Sequence, residues 1–171
     1  MRMTYVVVLA LALTGCVTDL RSRRIPNVLT FGGAIAAVIF HTMVGGGSGL
    51  LVASGGWVIG AALFFAPFAL GGMGGGDLKL VAALGAWVGP QQAVWIALYT
   101  GVAGGVMALI VASMRGYLRQ AFSNLWLLLA HWRIAGISRL HEVSLEGGNG
   151  PRLAYALPIF VGTLVMIWLN S

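Results

Sequence analysis

The sequence contains very little charge. Of its 171 residues, only 8% are Asp, Glu, Lys or Arg, whereas 59% are hydrophobic, and the mean hydropathy is +0.93. A soluble domain normally has about 25% charged residues, so this composition excludes an ordinary soluble domain. It predicts an all-α fold, a polytopic membrane protein with one membrane-embedded domain over residues 1–171.

Cysteine is almost absent as well. Cys16 is the single one, which excludes an internal disulfide and any zinc cluster built from several cysteines. We interpret Cys16 as a small packing residue, because no paired base is evident beside it. The stretch HEVSLE, residues 141–146, lacks the HExxH pattern of metalloproteases. The sequence therefore predicts no metal and no other cofactor.

Acidic residues are scarcer than basic ones, with four Asp and Glu against ten Lys and Arg, and the net charge is +6. A positive charge is common in nucleic-acid-binding proteins, but no basic stripe or recognised nucleic-acid-binding fold accompanies it here. In membrane proteins, Lys and Arg collect in cytoplasmic loops. We therefore expect anionic lipid headgroups, and not nucleic acid, beside these loops.

Six apolar segments have about the length needed to cross a bilayer core of about 30 Å. They are residues 3–18, 28–44, 50–70, 78–92, 93–113 and 153–170. The fourth is short, and PQQ at 90–92 is typical of a turn after it. The alternative is one unbroken helix over 80–113, which at about 50 Å is too long for a single crossing.

The distribution of Lys and Arg decides between six and five crossings. With six crossings and an outside N-terminus, every basic residue except Arg2 lies in one of three cytoplasmic loops, 19–27, 71–79 and 114–152. Five crossings would export the last five arginines, so the positive-inside rule favours six. This topology predicts a multi-pass protein of the inner (cytoplasmic) membrane whose loops of interest face the cytoplasm.

Two segments have an alternative interpretation. The N-terminal stretch through Leu13-Thr14-Gly15-Cys16 resembles a lipoprotein signal, but its cleavage would leave the following basic cluster outside, so we interpret it as the first span. Within 114–152, apolar residues recur at helical spacing with basic residues between them. This predicts an amphipathic helix at the cytoplasmic face, and the alternative is a seventh apolar segment packed among the spans.

Two of the four acidic residues, Asp19 and Asp77, lie where predicted spans end on the cytoplasmic side. The topology gives both a similar membrane depth. Two neighbouring carboxylates share one proton near neutral pH: the ionised one takes a proton from water, and the protonated one donates to the oxyanion that forms when water attacks a peptide carbonyl. The pair predicts an aspartic peptidase, and the sequence leaves open which residue is the base.

Asp77 follows a glycine-rich stretch, GGMGGGDLK. Because Gly74 and Gly76 lack a Cβ, we expect positive φ there and close approach of a substrate strand. Two alternatives assign no catalysis to the acids: Asp77 caps the fourth span, and Asp19 pairs with Arg23. The stretch lacks the Gly-Lys-[Ser/Thr] ending of a phosphate-binding loop.

These residues carry a resemblance to a known family. Residues 74–77 match the GxGD signature of intramembrane aspartyl proteases, and Lys79 fits its GxGDxK form. Asp19, followed after six residues by Pro26-Asn27, resembles the D…IPN segment of type IV prepilin peptidases. The chain is therefore identified as similar to that family over nearly its whole length.

A looser match, PRLAYALPI at 151–159, resembles the family's PYxxA/P stretch. It keeps Tyr155, but Leu153-Ala154 replaces the usual proline and Pro158 comes later. The resemblance makes Tyr155 a further candidate site residue.

The resemblance implies a substrate. Members of the family cut the short basic leader of prepilins or pseudopilins at the cytoplasmic membrane boundary, typically just after a glycine. Four basic residues border the predicted site, and we expect them to meet acidic substrate positions or lipid headgroups. They are Arg21, Arg23, Arg24 and Lys79. Pro26 is expected to break the chain and Asn27 to cap the second span, which would fix the loop that carries Asp19.

The longer members of the family also methylate the new N-terminus, through an extra domain with paired cysteines. This chain starts at its first predicted span, so we expect a peptidase without methyltransferase activity, similar to the short forms of tight-adherence (Flp-type) pili or archaeal preflagellins. Two rival functions are a small proton- or ion-coupled transporter that uses Asp19 and Asp77, and a noncatalytic pilus assembly factor.

Overall fold

The structure, a computed structural model, describes residues 2–114, 116 and 154–170. Its helices are α1 (Arg2–Ser22), α2 (Asn27–Ala69), α3 (Gly75–Val88), α4 (Pro90–Met114) and α5 (Ala156–Asn170). Within these residues there is no strand, so the all-α prediction is confirmed there. The predicted interfacial helix, and most of the loop 114–152 with it, lies outside the described residues.

Helix α2 is a hairpin of two arms. Gly46 has φ 56° and ψ −136°, which interrupts the helical geometry between residues 27–45 and 47–69. Glycine adopts such a φ without the steric penalty of a Cβ. The arms correspond to the predicted segments 28–44 and 50–70.

The first arm of α2 runs in the same direction as α3. Lys79 near the start of α3 bonds to the Asn27 side chain, and the Trp87 carbonyl near the end of α3 bonds to His41. Sequence position increases along both helices between these two contacts. The first arm therefore begins at the end of the bundle where α3 begins.

The second arm runs antiparallel to α3 and packs very close to it. Gly56 faces Gly85, and further along the chain Gly60 faces Val81. A Cβ added at Gly60 would lie 2.8 Å from the Val81 carbonyl oxygen. Small residues here let the two backbones approach as closely as they do, as at other apolar helix interfaces.

The break between α3 and α4 lies earlier than the predicted turn. Helix α3 ends at Val88, Gly89 takes φ 85°, and α4 begins at Pro90. The expectation of two separate helices is confirmed, but the prediction that PQQ forms the turn is wrong. Proline suits the first position of a helix, where its missing N–H would have no partner, so the turn falls on Gly89 alone.

Three of the described helices are long and apolar enough to cross a membrane: Met3–Ser22, Asn27–Ala69 and Pro90–Met114. Helix α3 has 14 residues and α5 has 15, both short of the roughly 20 that a full crossing needs. Helix α3 is central: Leu80, Val81 and Leu84 are completely buried. The six-span topology stays a prediction.

Helix α5 runs antiparallel to α4. Its Gly162 packs on Thr100, and Tyr155, just before its start, packs on Gly104. The N–H of Ala156 lies beside the carboxylate of Asp19 at the end of α1. The end of α1 and the starts of α2, α3 and α5 therefore meet at one end of the bundle.

Candidate active site

Asp19 is placed by the last turns of α1 and by the turn that ends this helix. The N–H of Arg23 donates to the Asp19 carbonyl oxygen at 2.8 Å, and Arg23 has φ 52°. A left-handed residue commonly ends a helix, but glycine is usual there and arginine is uncommon. The chain then reaches α2 through residues 23–26 alone, so Asp19 stays close to the start of α2.

Asp77 is placed by the glycine-rich turn between α2 and α3. Gly71 takes φ 78°, and the N–H of Gly72 returns to the Pro67 carbonyl oxygen at 2.8 Å. Gly74 is then the N-cap of α3. These contacts put Asp77 in the first turn of α3, where it is 8% exposed.

The two oxygens of the Asp77 carboxylate have different surroundings. Oδ2 accepts a hydrogen bond from the Gly74 N–H at 3.2 Å, as a capping carboxylate does. Oδ1 is buried, and no group in the described part of the chain bonds to it. The capping alternative thus accounts for one oxygen. A buried oxygen without a partner is costly, and a catalytic role is one of the recognised explanations for such a group.

The expectation that Gly74 and Gly76 take positive φ is wrong. Gly74 has φ −77°, Gly76 is helical, and in this turn the positive φ belongs to Gly71. Both glycines are closely packed against side chains instead. A Cβ on Gly74 would lie 3.1 Å from Asp77 Oδ2, and one on Gly76 would lie 3.2 Å from the Ile25 Cβ.

Both aspartates line one cavity of about 380 Å³. Its walls come from the end of α1, the connection to α2 and the start of α3. The lining residues are Asp19, Arg23, Arg24, Ile25, Pro26, Asn27, Gly74, Gly75, Gly76 and Asp77. Most of the residues that the sequence predicted for the site thus meet around one space, whereas Arg21, Lys79 and Tyr155 do not line it.

The surroundings of Asp77 favour its protonated form. Asp77 lies outside the three helices that are long enough to cross a membrane, and its pKa is raised from 3.8 to about 7. Burial is the main cause and the charge of Asp19 is the second, while the bond from the Gly74 N–H opposes both. Asp19 itself lies near the Ala156 N–H and the Arg23 charge.

Asn27 and Lys79 have roles other than those expected. The N-cap of α2 is Pro26, without any side-chain capping bond, so the prediction that Asn27 caps this helix is wrong. Its side-chain oxygen accepts from Lys79 Nζ at 3.1 Å instead. Lys79 Nζ also lies 5.3 Å from the centre of the Phe31 ring.

Tyr155 lies beside the cavity and does not line it. Burial, and secondly the charge of Asp77, raise the pKa of the Tyr155 hydroxyl. The structure therefore brings Tyr155 within electrostatic range of Asp77, on the side of the first turn of α5.

Sequence reasoning missed two neighbours of the site. Phe31 follows Asn27 by four residues, so helical spacing alone could have placed both on one face. The contact from Ala156 to Asp19 is made by a backbone N–H, which any residue supplies, so no sequence signal could have indicated it. Across the described ranges, no three His, Cys, Asp or Glu side chains form a group suited to a metal ion.

The model of the type IV leader peptidase family matches residues 6–109. The match covers more than half of the chain and contains both Asp19 and Asp77. The chain belongs to this family, as the resemblance predicted, and is accordingly a peptidase of the membrane-protein class that its apolar helices indicate. Neither the curated proteins nor the solved structures contain a match to it.

Proposed function

We propose that the protein is a membrane-embedded aspartic endopeptidase that removes the leader peptide of prepilin-like substrates at the cytoplasmic membrane face. The observation that carries this proposal is the shared cavity. Two carboxylates from different helices line it, and one of them has a buried oxygen without a partner. Family membership supports the peptidase class and the leader-type substrate.

The two carboxylates have different roles in the proposed reaction, because their surroundings differ. Asp77 is the more buried, so it holds the shared proton near pH 7. We assign Asp19, which has the Ala156 N–H and the Arg23 charge beside it, as the ionised partner. Asp19 takes a proton from a water molecule whose oxygen bonds to the scissile carbonyl carbon, and Asp77 gives its proton to the carbonyl oxygen.

Collapse of the tetrahedral intermediate returns both protons. The C–N bond breaks as Asp19 passes its proton to the leaving amine, and a hydroxyl of the intermediate returns a proton to Asp77 as the new carboxyl group forms. Water is consumed and the aspartates end as they began. Because the two share one proton throughout, they titrate as a pair.

The position of the cavity supports substrate binding at the cytoplasmic membrane face. Its opening lies at the bundle end that the positive-inside rule assigns to the cytoplasm. Arg23 and Arg24 on its wall are exposed, so they are available to acidic substrate positions or headgroups. A substrate whose apolar helix stays in the bilayer would present its leader junction at this level.

The test is cleavage of a candidate prepilin in membranes by wild type, Asp19→Asn and Asp77→Asn at matched expression. Both variants keep size and shape but remove one carboxylate. We expect each to lose cleavage by about 10³-fold or more, with the folded fraction unchanged in detergent. Normal cleavage by either variant would overturn the paired-carboxylate mechanism and leave Asp77 as a helix cap.

A further inference from the structure

The start of α3 and the connection between α1 and α2 touch at two points, one on each side of Asp77. On one side, Gly76 packs closely on Ile25: a Cβ on Gly76 would lie 3.2 Å from the Ile25 Cβ. On the other, Lys79 donates to Asn27 at 3.1 Å. The helix that carries Asp77 is thus fastened to the segment that follows Asp19.

Lys79 makes this second contact with two groups of α2. Its ammonium group donates to the Asn27 oxygen and also lies 5.3 Å from the centre of the Phe31 ring. A cation over an aromatic face is attracted to it. Asn27 and Phe31 are one helical turn apart at the start of α2, so Lys79 contacts one face of that turn.

We propose that Lys79 is a positioning residue, which holds the start of α2 on the start of α3 and so fixes the distance between Asp19 and Asp77. The assignment of the aspartates rests on the proposed function, whereas the mechanical link does not. We call Lys79, Asn27 and Phe31 the lysine latch. The link reaches Asp19 because residues 23–26 alone separate α1 from α2.

A different role for Lys79 would be direct binding of an acidic substrate group or a headgroup. Lys79 is absent from the lining of the cavity, whereas Asn27 is on it. Its ammonium group is already engaged by two groups of its own chain. The contacts therefore favour positioning over substrate binding.

The kinetic test is a double-mutant cycle with Lys79→Met and Asn27→Leu. Each single change should lower kcat by about 10- to 100-fold, as expected for misplaced catalytic groups, with KM nearly unchanged. The double variant should lose no more than either single one, because both remove the same link. Lys79→Arg keeps a donor at this position, so it should retain most activity.

The matched control is Asn170→Leu, the same change at an exposed asparagine on the last turn of α5. It should leave kcat and KM as in wild type. A rise in KM with Lys79→Met, no effect of Asn27→Leu, or losses that multiply in the double variant would overturn the latch and assign Lys79 to substrate binding.

A second measurement is independent of activity. Amide hydrogen exchange in detergent reports the opening of the bonds from the N–H of Arg23 to Asp19 and from that of Leu29 to Pro26. Lys79→Met should make both exchange faster, while amides of α4 stay unchanged. Unchanged exchange at Arg23 and Leu29 would overturn the latch even if wild type cleaves prepilin. Faster exchange in a protein that cleaves nothing would sustain the link and reject the proposed function instead.

Discussion

Each end of α3 has a buried residue with polar atoms, but the two residues differ in their hydrogen bonding. Trp87 near its end is 7% exposed and Asp77 near its start is 8% exposed. The indole N–H of Trp87 donates to the Gly33 carbonyl at 2.9 Å, and the backbone carbonyl of Trp87 accepts from His41 Nε2 at 3.0 Å. Asp77 keeps one oxygen without a partner in the described chain.

Burial therefore does not distinguish the two ends, whereas hydrogen bonding does. A buried polar group with every bond made contributes to stability and specifies the packing. A buried carboxylate with one bond missing costs stability and stays available for chemistry. We call the first the tryptophan end and the second the aspartate end. Substitutions at the aspartate end should change activity, and those at the tryptophan end should change stability.

After removal of either carboxylate, the largest effect is expected from a change that keeps the charge of Asp77 and moves it. Asp77→Glu lengthens the side chain by one methylene, so its carboxylate cannot keep both the Gly74 contact and its place in the cavity. We expect kcat for prepilin cleavage to fall about 100-fold with little change in Tm. The matched change at the other end, His41→Gln, keeps a donor and should leave kcat unchanged. Equal losses of activity from both would show that the ends do not differ.

The second expectation concerns pH. Because the pKa of Asp77 is about 7, cleavage should fall as pH rises above this value, approaching tenfold per pH unit. The stability effect has the same sign. The folded-state pKa lies above the ordinary 3.8, so the stabilising contribution is present at low pH and is lost as pH rises from about 4 to about 7.

Asp77→Asn removes the titrating group, so its Tm in detergent should change less than that of wild type over this pH range. It should be the more stable of the two above pH 7. Parallel Tm curves for the two proteins would contradict the raised pKa of Asp77 in the folded state.

A stability effect without a specific catalytic one is expected where α2 and α3 are in closest contact. Gly56 lies against the Gly85 carbonyl, where a Cβ cannot fit, so Gly56→Ala should destabilise the protein by about 1–3 kcal/mol. A Cβ on Gly32 would have no atom within 4 Å, so Gly32→Ala should leave Tm unchanged or slightly higher. Thermal unfolding of both in the same detergent checks the pair. The comparison fails if Gly32→Ala is the more damaging change.

The smallest effect is expected at the tryptophan end. His41→Leu removes the donor to the Trp87 carbonyl, and we expect a loss of about 1 kcal/mol, since His41 is only half-buried. The kcat of the folded fraction should equal that of wild type. A selective loss of kcat at unchanged Tm would mean that the tryptophan end takes part in the reaction.

Much of this arrangement could be predicted from the sequence. Asp19 and Asp77 end two apolar segments on the side rich in arginine, so topology alone placed them at one end. The length of the apolar stretch 80–113 and the distribution of Lys and Arg predicted the break between α3 and α4. These predictions succeed because apolar length and charge act locally and do not depend on which helices touch.

What the sequence could not provide depends on contacts between distant segments. Asn27 suits a helix cap by type, but Lys79, 52 residues later, takes its side-chain oxygen. Gly74 and Gly76 suit positive φ by type, but the structure instead packs them closely against Asp77 Oδ2 and Ile25. The residue type allows several conformations and contacts, and the packing of α2 on α3 determines which of them forms.

The α2 hairpin also has a consequence for the order in which the protein is made. At 14 residues, α3 is too short to partition into a bilayer on its own, and its middle is covered by neighbouring helices. Both arms of the hairpin leave the ribosome before α3 does, since segments emerge in chain order. The two arms on which α3 packs are thus synthesised ahead of it, and α3 brings Asp77 to the end of the bundle where α2 begins.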